Sequence, residues 1–294
     1  MATLRDIKSR ITGVRSTSKI TQAMRMVAAA KLKRSQDAII SARPYIEKLG
    51  AVMADLVESV GEGYSHPLLE KRNEVKGIAI IVVTSDRGMC GGFNSGLLRF
   101  AVQKMKAELP EEYPGAEISV IPVGKKACAM FKKEHIANAG EFPGVFDNLR
   151  FATVKDIMEI AEFGFFDGRF DRVFVVYNKF KNLLTQIPSI QQLLPVEKIA
   201  DGGKKSNTDY IFEPGRKAIL DELLPKNLEI QMWRALLESN AAEQAARMMA
   251  MENATRNANE LIRDLELLYN KARQASITTE MLEIVGGAEA LKKS

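Results

Sequence analysis

The sequence predicts an α/β protein. Its N- and C-terminal helices pair as an antiparallel coiled coil around a central Rossmann-like α/β domain of mostly parallel sheet. Three observations predict this: heptad-spaced apolar residues at both ends of the 294-residue chain, the scarcity of proline and glycine there, and a middle where β-branched runs alternate with helical stretches. The domains are expected at 1–60, 75–214 and 215–294.

In the C-terminal arm, Met251, Ala254, Ala258, Leu261, Leu265, Leu268, Ala272 and Ala275 alternate spacings of three and four, the a/d repeat of a left-handed coiled coil. No proline follows Pro225, and the next glycine is Gly286. At about 1.5 Å per residue, roughly 70 residues of helix reach on the order of 100 Å, which outgrows a domain core. Such a helix needs a partner along its length.

The N-terminal arm repeats the pattern in two stretches: Leu4, Ile7, Ile11 and Val14, then Ile39, Ala42, Ile46, Leu49, Met53, Leu56 and Val60. Between them the apolar repeat lapses, with Ser16, Thr17, Ser18 and Thr21 near the seam. Pro44 removes a helical donor and is expected to kink or end this helix. Two arms far apart in sequence, joined by a globular insert, pair most economically within the chain and antiparallel.

The middle begins with VKGIAIIVVTSD (75–86), a continuous β-branched run of the kind buried on both faces of a sheet. A helix is expected from about Ser95 to Glu108, a strand over 117–124, and helices over 125–134 and 153–166. RVFVVYNKF (172–180) and TQIPSIQQLLPV (185–196) read as an antiparallel pair turning through Lys181 to Leu184, and TDYIFEP (208–214) as a last short strand.

Composition, at 46% hydrophobic and 27% charged, is that of a globular chain, and no apolar run approaches the roughly 20 residues that span a bilayer. The basic, amphipathic first residues resemble a targeting peptide, but their heptad runs on into the later helix, so they read as mature structure. Cys90 and Cys128 make no disulfide framework and read as ordinary thiols of a reducing compartment.

Charge is uneven. Residues 1–36 hold nine Lys or Arg against one acid, Asp6, whereas from Lys226 onward nine basic residues meet ten acidic ones. A basic helix of this kind seeks an acidic partner: nucleic acid, anionic lipid or a carboxylate-rich protein surface.

Chemistry is sparse. TSDRGMCGGFN (84–94) lies where a strand gives way to a helix, but Gly88, Gly91 and Gly92 do not form G-x-G-x-x-G, and no G-x-x-x-x-G-K-[ST] occurs. A tight strand-to-helix turn is the simpler reading. Asp86 beside Arg87 reads as a loop ion pair. His66 and His135 stand in unrelated segments, which leaves no material for a histidine-centred triad or zinc site. No catalytic residue, cofactor or metal is expected.

ITQAMRMVAAAKLKRSQ (20–36), TSDRGMCGGFN, SNAAEQAARMMAMENAT (239–255) and NKARQASITTEMLEIVGGAEAL (270–291) together resemble the gamma-subunit family of F-type ATP synthases, in order and spacing along essentially the whole chain. The resemblance implies a central rotor shaft of a proton-translocating synthase, one copy per complex. The shaft stands inside three alpha and three beta subunits, and its foot lies on the epsilon subunit and the membrane c-ring. Catalysis then belongs to the alpha/beta interfaces.

The resemblance implies that Met24, Arg25, Lys31, Lys33 and Arg34 belong to a basic helix facing an acidic beta-subunit loop, with Met24 and Arg247 at the beta-subunit contact level. Arg273 and Gln274 are expected to hydrogen-bond to a beta subunit higher up, with Thr278 and Glu280 making beta-subunit contacts in the neighbouring segment. Met281, Leu282, Ile284, Val285 and Leu291 are implied as an apolar bearing tip, and Tyr210, Phe212 and Glu213 as the epsilon and c-ring foot. The chain lacks the cysteine-bearing insertion of the chloroplast form, and Met89 stands where the family commonly has leucine. The bacterial type is expected, peripheral on the cytoplasmic face of the inner membrane. Two other readings compete. A basic coiled-coil protein bound to nucleic acid has against it the absence of aromatic residues from 1–44, and a nucleotide-dependent enzyme lacks a phosphate-binding motif.

Overall fold

The computed structural model describes residues 3–60, 66–72, 74–196, 213 and 215–292. Within them the chain forms two compact units, Met1–Val27 with Met248–Ser294, and Ala28–Arg247. Helix α1 (Leu4–Val60) and the 77-residue C-terminal helix α6 (Arg216–Lys292) each contribute to both.

The larger unit holds a four-stranded sheet of order β2-β1-β3-β4, formed by β1 (Gly77–Val83), β2 (Glu117–Val123), β3 (Arg172–Phe180) and β4 (Gln186–Leu194). β1 runs parallel to β2 and β3, and β4 closes the edge antiparallel to β3. Every residue of β1 is buried, as its unbroken β-branched run requires.

Alternation along the strands divides the core between the two faces. Ile78, Ile80, Val82 and Val176 meet Leu97 and Ala101 of α2 (Phe93–Gln103), Leu109 of α3 (Leu109–Glu112) and Phe131 of α4 (Lys125–Glu134). On the other face Ala79, Ile81, Val175 and Tyr177 meet Ile157 and Phe165 of α5 (Phe151–Phe166), Leu49 and Met53 of α1, and Leu224 and Leu236 of α6. The result is a three-layer α/β unit whose third layer is built partly from the terminal arms. Between α2 and α3 lies one π-helical turn, Lys104–Glu108. Pro110 has no N–H to return to Lys106, and the ladder widens where that bond is missing.

Pro44 does not end α1. It lies on the exposed side of the helix, and the carbonyl it leaves unpaired belongs to Ile40, itself exposed, so solvent takes the lost bond. Pro225 likewise sits inside α6 without ending it. The expected strand over 208–214 lies outside the described residues apart from Glu213, a bend.

The seam of α1 does not lapse. Within the larger unit Ala28, Leu32, Ser35, Ile39, Ala42, Ile46, Leu49, Met53 and Leu56 keep the alternation of four and three, all buried or half-buried. Only the residue type changes, to small side chains where the helices approach closely. Leu32 packs on Ala241 and Ala245 of α6, and Asn240 Nδ2 donates to Ser35 Oγ at 3.1 Å.

In the smaller unit Leu4, Ile7, Ile11, Val14, Ser18 and Thr21 continue the repeat. Ser18 Oγ donates to Asn259 Oδ1 (2.8 Å), the Thr21 and Thr255 hydroxyls share a hydrogen bond (2.7 Å), and Arg15 pairs with Glu266 (2.9 Å). Partner numbers fall on α6 as they rise on α1, so the helices are antiparallel. The α6 side of this seam corrects the sequence reading. Met251, Ala258, Leu265 and Ala272 face inward as expected, but the alternate positions are Thr255, Ile262, Tyr269 and Ser276, while Leu261 and Leu268 turn outward.

Candidate functional site

At the C-terminal edge of the parallel strands, the turn from β1 into α2 is built by its own side chains. Asp86 Oδ1 accepts the backbone N–H of Lys125 (2.9 Å) and of Gly144 (2.8 Å), and Oδ2 accepts that of Phe146 (2.8 Å). Lys125 is the first residue of α4, so a carboxylate of the chain itself occupies the helix N-terminus, where an α/β nucleotide site would seat a phosphate. Thr84 Oγ1 accepts from Ala127 N at 2.8 Å. Gly124, at φ 93°, must be glycine, because an added Cβ would lie 2.2 Å from the Thr84 carbonyl oxygen.

Asp86 does not pair with Arg87. Arg87 and Lys125 each reach Asp147, at 3.1 Å, and these two cations hold the Asp147 carboxyl below its usual range, Lys125 contributing most. Ser85 and Asn94 bind each other, and Arg247 of α6 donates to the Gly88 carbonyl at 3.0 Å while pairing with buried Glu243. Burial pushes the Glu243 carboxyl upward against the pull of Arg247. The turn is therefore latched to α6 and presents Met89, at φ 60°, to solvent. Burial also raises the Cys90 and Cys128 thiols, which suppresses thiolate chemistry.

The basic residues of α1 divide between the units. In the smaller one Met24 and Arg25 are half-buried, and Arg25 lines a cleft of about 380 Å³ with Gln22 of α1 and Glu252, Arg256, Glu260 and Arg263 of α6. In the larger one Lys31, Lys33 and Arg34 are exposed, and only Lys33 has an ion-pair partner among the described residues, Asp37 at 2.9 Å. Arg247 is buried, its guanidinium engaged inside the chain.

Further along α6, Arg273, Gln274, Thr278 and Glu280 are exposed. Thr278 Oγ1 donates to the Gln274 carbonyl (2.9 Å), and Ser276 Oγ to Glu280 (3.3 Å). Met281, Leu282, Ile284 and Val285 follow, each more than half exposed, and Leu291 belongs to the same helix. Glu213 is exposed, while Tyr210 and Phe212 lie outside the described residues. The structure thus gathers Arg273 to Val285 on one helix and Lys31 to Arg34 on another. It adds Arg256 and Arg263, which sequence reading passed over because helical arginines at a spacing of seven look like a solvated face. Among the described residues no helix is long and apolar enough to cross a membrane.

The sequence pattern of a family described as ATP synthase matches residues 3–291. The chain is 47% identical over 293 residues to the ATP synthase gamma chain of Chlorobaculum tepidum, covering 100% of both, and 48% identical to that of Chlorobium chlorochromatii, covering 99% of each. Its fold is similar to one chain of a Euglena gracilis mitochondrial ATP synthase structure of OSCP, F1 and c-ring (TM-score 0.68, 22% identity, 98% of this chain and 94% of that one). It is also similar to a chain of the Tetrahymena thermophila mitochondrial central stalk and c-ring (TM-score 0.58, 24% identity, 80% and 99%).

Proposed function

Because this chain belongs to the ATP synthase gamma-chain family, we propose that it is the central rotor shaft of an F-type proton-translocating synthase. On this reading it is a non-catalytic subunit that couples proton-driven rotation of a membrane ring to conformational change at catalytic alpha/beta interfaces. The observation that carries the reading is identity near one-half sustained from end to end, through both arms and the domain between them. The filled helix N-terminus at Asp86 supports assigning catalysis elsewhere.

The partners are three alpha and three beta subunits, epsilon and the c-ring, with the protein peripheral on the cytoplasmic face of the bacterial inner membrane. Lys31, Lys33 and Arg34, together with Met24 and Arg25, meet acidic beta-subunit surface, while Arg273 and Gln274 hydrogen-bond to a beta subunit further along the shaft and Thr278 and Glu280 contact it in the neighbouring segment. Arg247 acts on the same surface through the turn it holds. Met281, Leu282, Ile284, Val285 and Leu291 form the bearing, where apolar contact suits rotation because no fixed hydrogen bond must be broken at each step. Glu213, with Tyr210 and Phe212, belongs to the epsilon and c-ring foot.

Native mass spectrometry of the complex drawn from detergent-solubilised membranes by a tag on this chain tests the assembly. One copy per three alpha/beta pairs is expected, and a free chain beside an intact synthase would overturn the reading. Reversing Lys31, Lys33 and Arg34 to Glu should lower proton pumping per ATP hydrolysed, and unchanged coupling would remove these residues from the contact.

A further inference from the structure

The turn between β3 and β4 presents two leucines to solvent on a fixed backbone. Asn182 Oδ1 accepts the N–H of Leu184 (3.0 Å) and of Thr185 (2.8 Å), and Gln186 Nε2 donates to the Leu183 carbonyl at 3.1 Å. An Asx-type turn tied at this many points is preorganised. It nevertheless leaves Leu184 76% and Leu183 42% exposed, although a leucine with no partner gains nothing from such a tip.

The charges on the turn segment itself, residues 179–186, have one sign. Lys179 and Lys181 flank the turn, are exposed, and make no ion pair among the described residues. Between them Phe180 packs against Leu32 of α1 and against Phe93 and Ala242, which fixes the hairpin end beside the helical turn that carries Lys31 and Arg34. Those two are also exposed without an ion pair among the described residues. A pair of apolar side chains inside a collar of exposed cations is complementary to a segment in which carboxylates bracket an apolar surface.

We propose that the β3–β4 turn is a docking knob for such an acidic, amphipathic segment of a neighbouring subunit. Leu183 and Leu184 are covered by its apolar side chains, and Lys179 and Lys181 are paired with its carboxylates. The proposal rests on the chain working inside a multisubunit assembly, and it adds a contact outside the helical arms.

The test places the photo-cross-linker p-benzoyl-phenylalanine at position 184 of the full chain in the purified complex, after native mass spectrometry has established the composition of that complex. Failure of the assembly reading is then seen before irradiation, separately from failure of the knob. Expected is a cross-linked peptide from another subunit with acidic residues on both sides of an apolar stretch. Adding Lys179→Glu and Lys181→Glu should lower its yield about fivefold, the weight of two surface ion pairs. No cross-link, a cross-link to a basic or uncharged peptide or to a second copy of this chain, or a yield indifferent to the charge reversals would each overturn the proposal. Leu184→Ser, which removes the knob from an exposed turn, should leave the melting temperature unchanged while reducing coupled ATPase activity. An unchanged activity would likewise count against it.

Discussion

Asp86 decides what the glycine-rich turn does. One buried carboxylate satisfies three backbone donors from two segments, Lys125 at the start of α4 and Gly144 and Phe146 beyond it. Asp86→Ala leaves these N–H groups unpaired and should cost about 3 kcal/mol of stability in thermal or urea unfolding, with Asp86→Asn milder because one oxygen remains. Glu162 tests the opposite situation. Burial, with repulsion from Glu229 added, raises its carboxyl to about 7 from an ordinary 4.5, and one of its oxygens has no hydrogen-bond partner. Between those values the folded protein holds a proton that the unfolded chain has released, so stability falls as pH rises through that window and levels off above it. Glu162→Gln should therefore raise the melting temperature at pH 8 and change it little at pH 4, and equal shifts at both would contradict this assignment. At this scale the sequence was only partly legible. It marked 84–94 as a tight turn without a phosphate motif. The partners of Asp86 stand on segments far along the chain, brought near only when β2 pairs with β1, and so its expected pairing with adjacent Arg87 was wrong.

Elements were read more completely, because each follows from local periodicity. β3 and α4 have the expected limits, and the β-branched run of β1 became the fully buried central strand. The α6 seam shows where periodicity stops deciding. Spacings of three-four and four-three share Met251, Ala258, Leu265 and Ala272, and the leucines at 261 and 268 favour the first. The structure takes the second, because the opposing α1 face offers small hydroxyls and a cation that pair with Thr255, Asn259 and Glu266, none of which an apolar count registers. The phase has a direct test. Leu265→Ala, at a nearly buried seam position, should destabilise the chain by about 2–4 kcal/mol, whereas Leu268→Ala, half exposed, should cost less than about 1. Equal losses would restore the first phase.

At the scale of the whole molecule, the chain spends apolar side chains where nothing among its described residues buries them. In the smaller unit the register set by Ser18 with Asn259 and Thr21 with Thr255, carried to the start of α1, brings Leu4 level with about Arg273 of α6. Beyond that level α6 has no partner helix among the described residues, yet Ile277, Met281, Leu282, Ile284 and Val285 are exposed there. A helix apolar on several sides is the pattern of a segment surrounded by partners on all of them. None of these residues belongs to either core of the α/β unit. Removing Met281–Ser294 should therefore leave the far-ultraviolet spectrum of the 28–247 unit and its cooperative melting intact, while lowering the yield of assembled complex or the torque it delivers. Loss of that unit's melting transition would mean that the terminal segment folds the protein instead of serving its partners. Full assembly and torque without the segment would show that the exposed apolar residues need no surrounding surface at all.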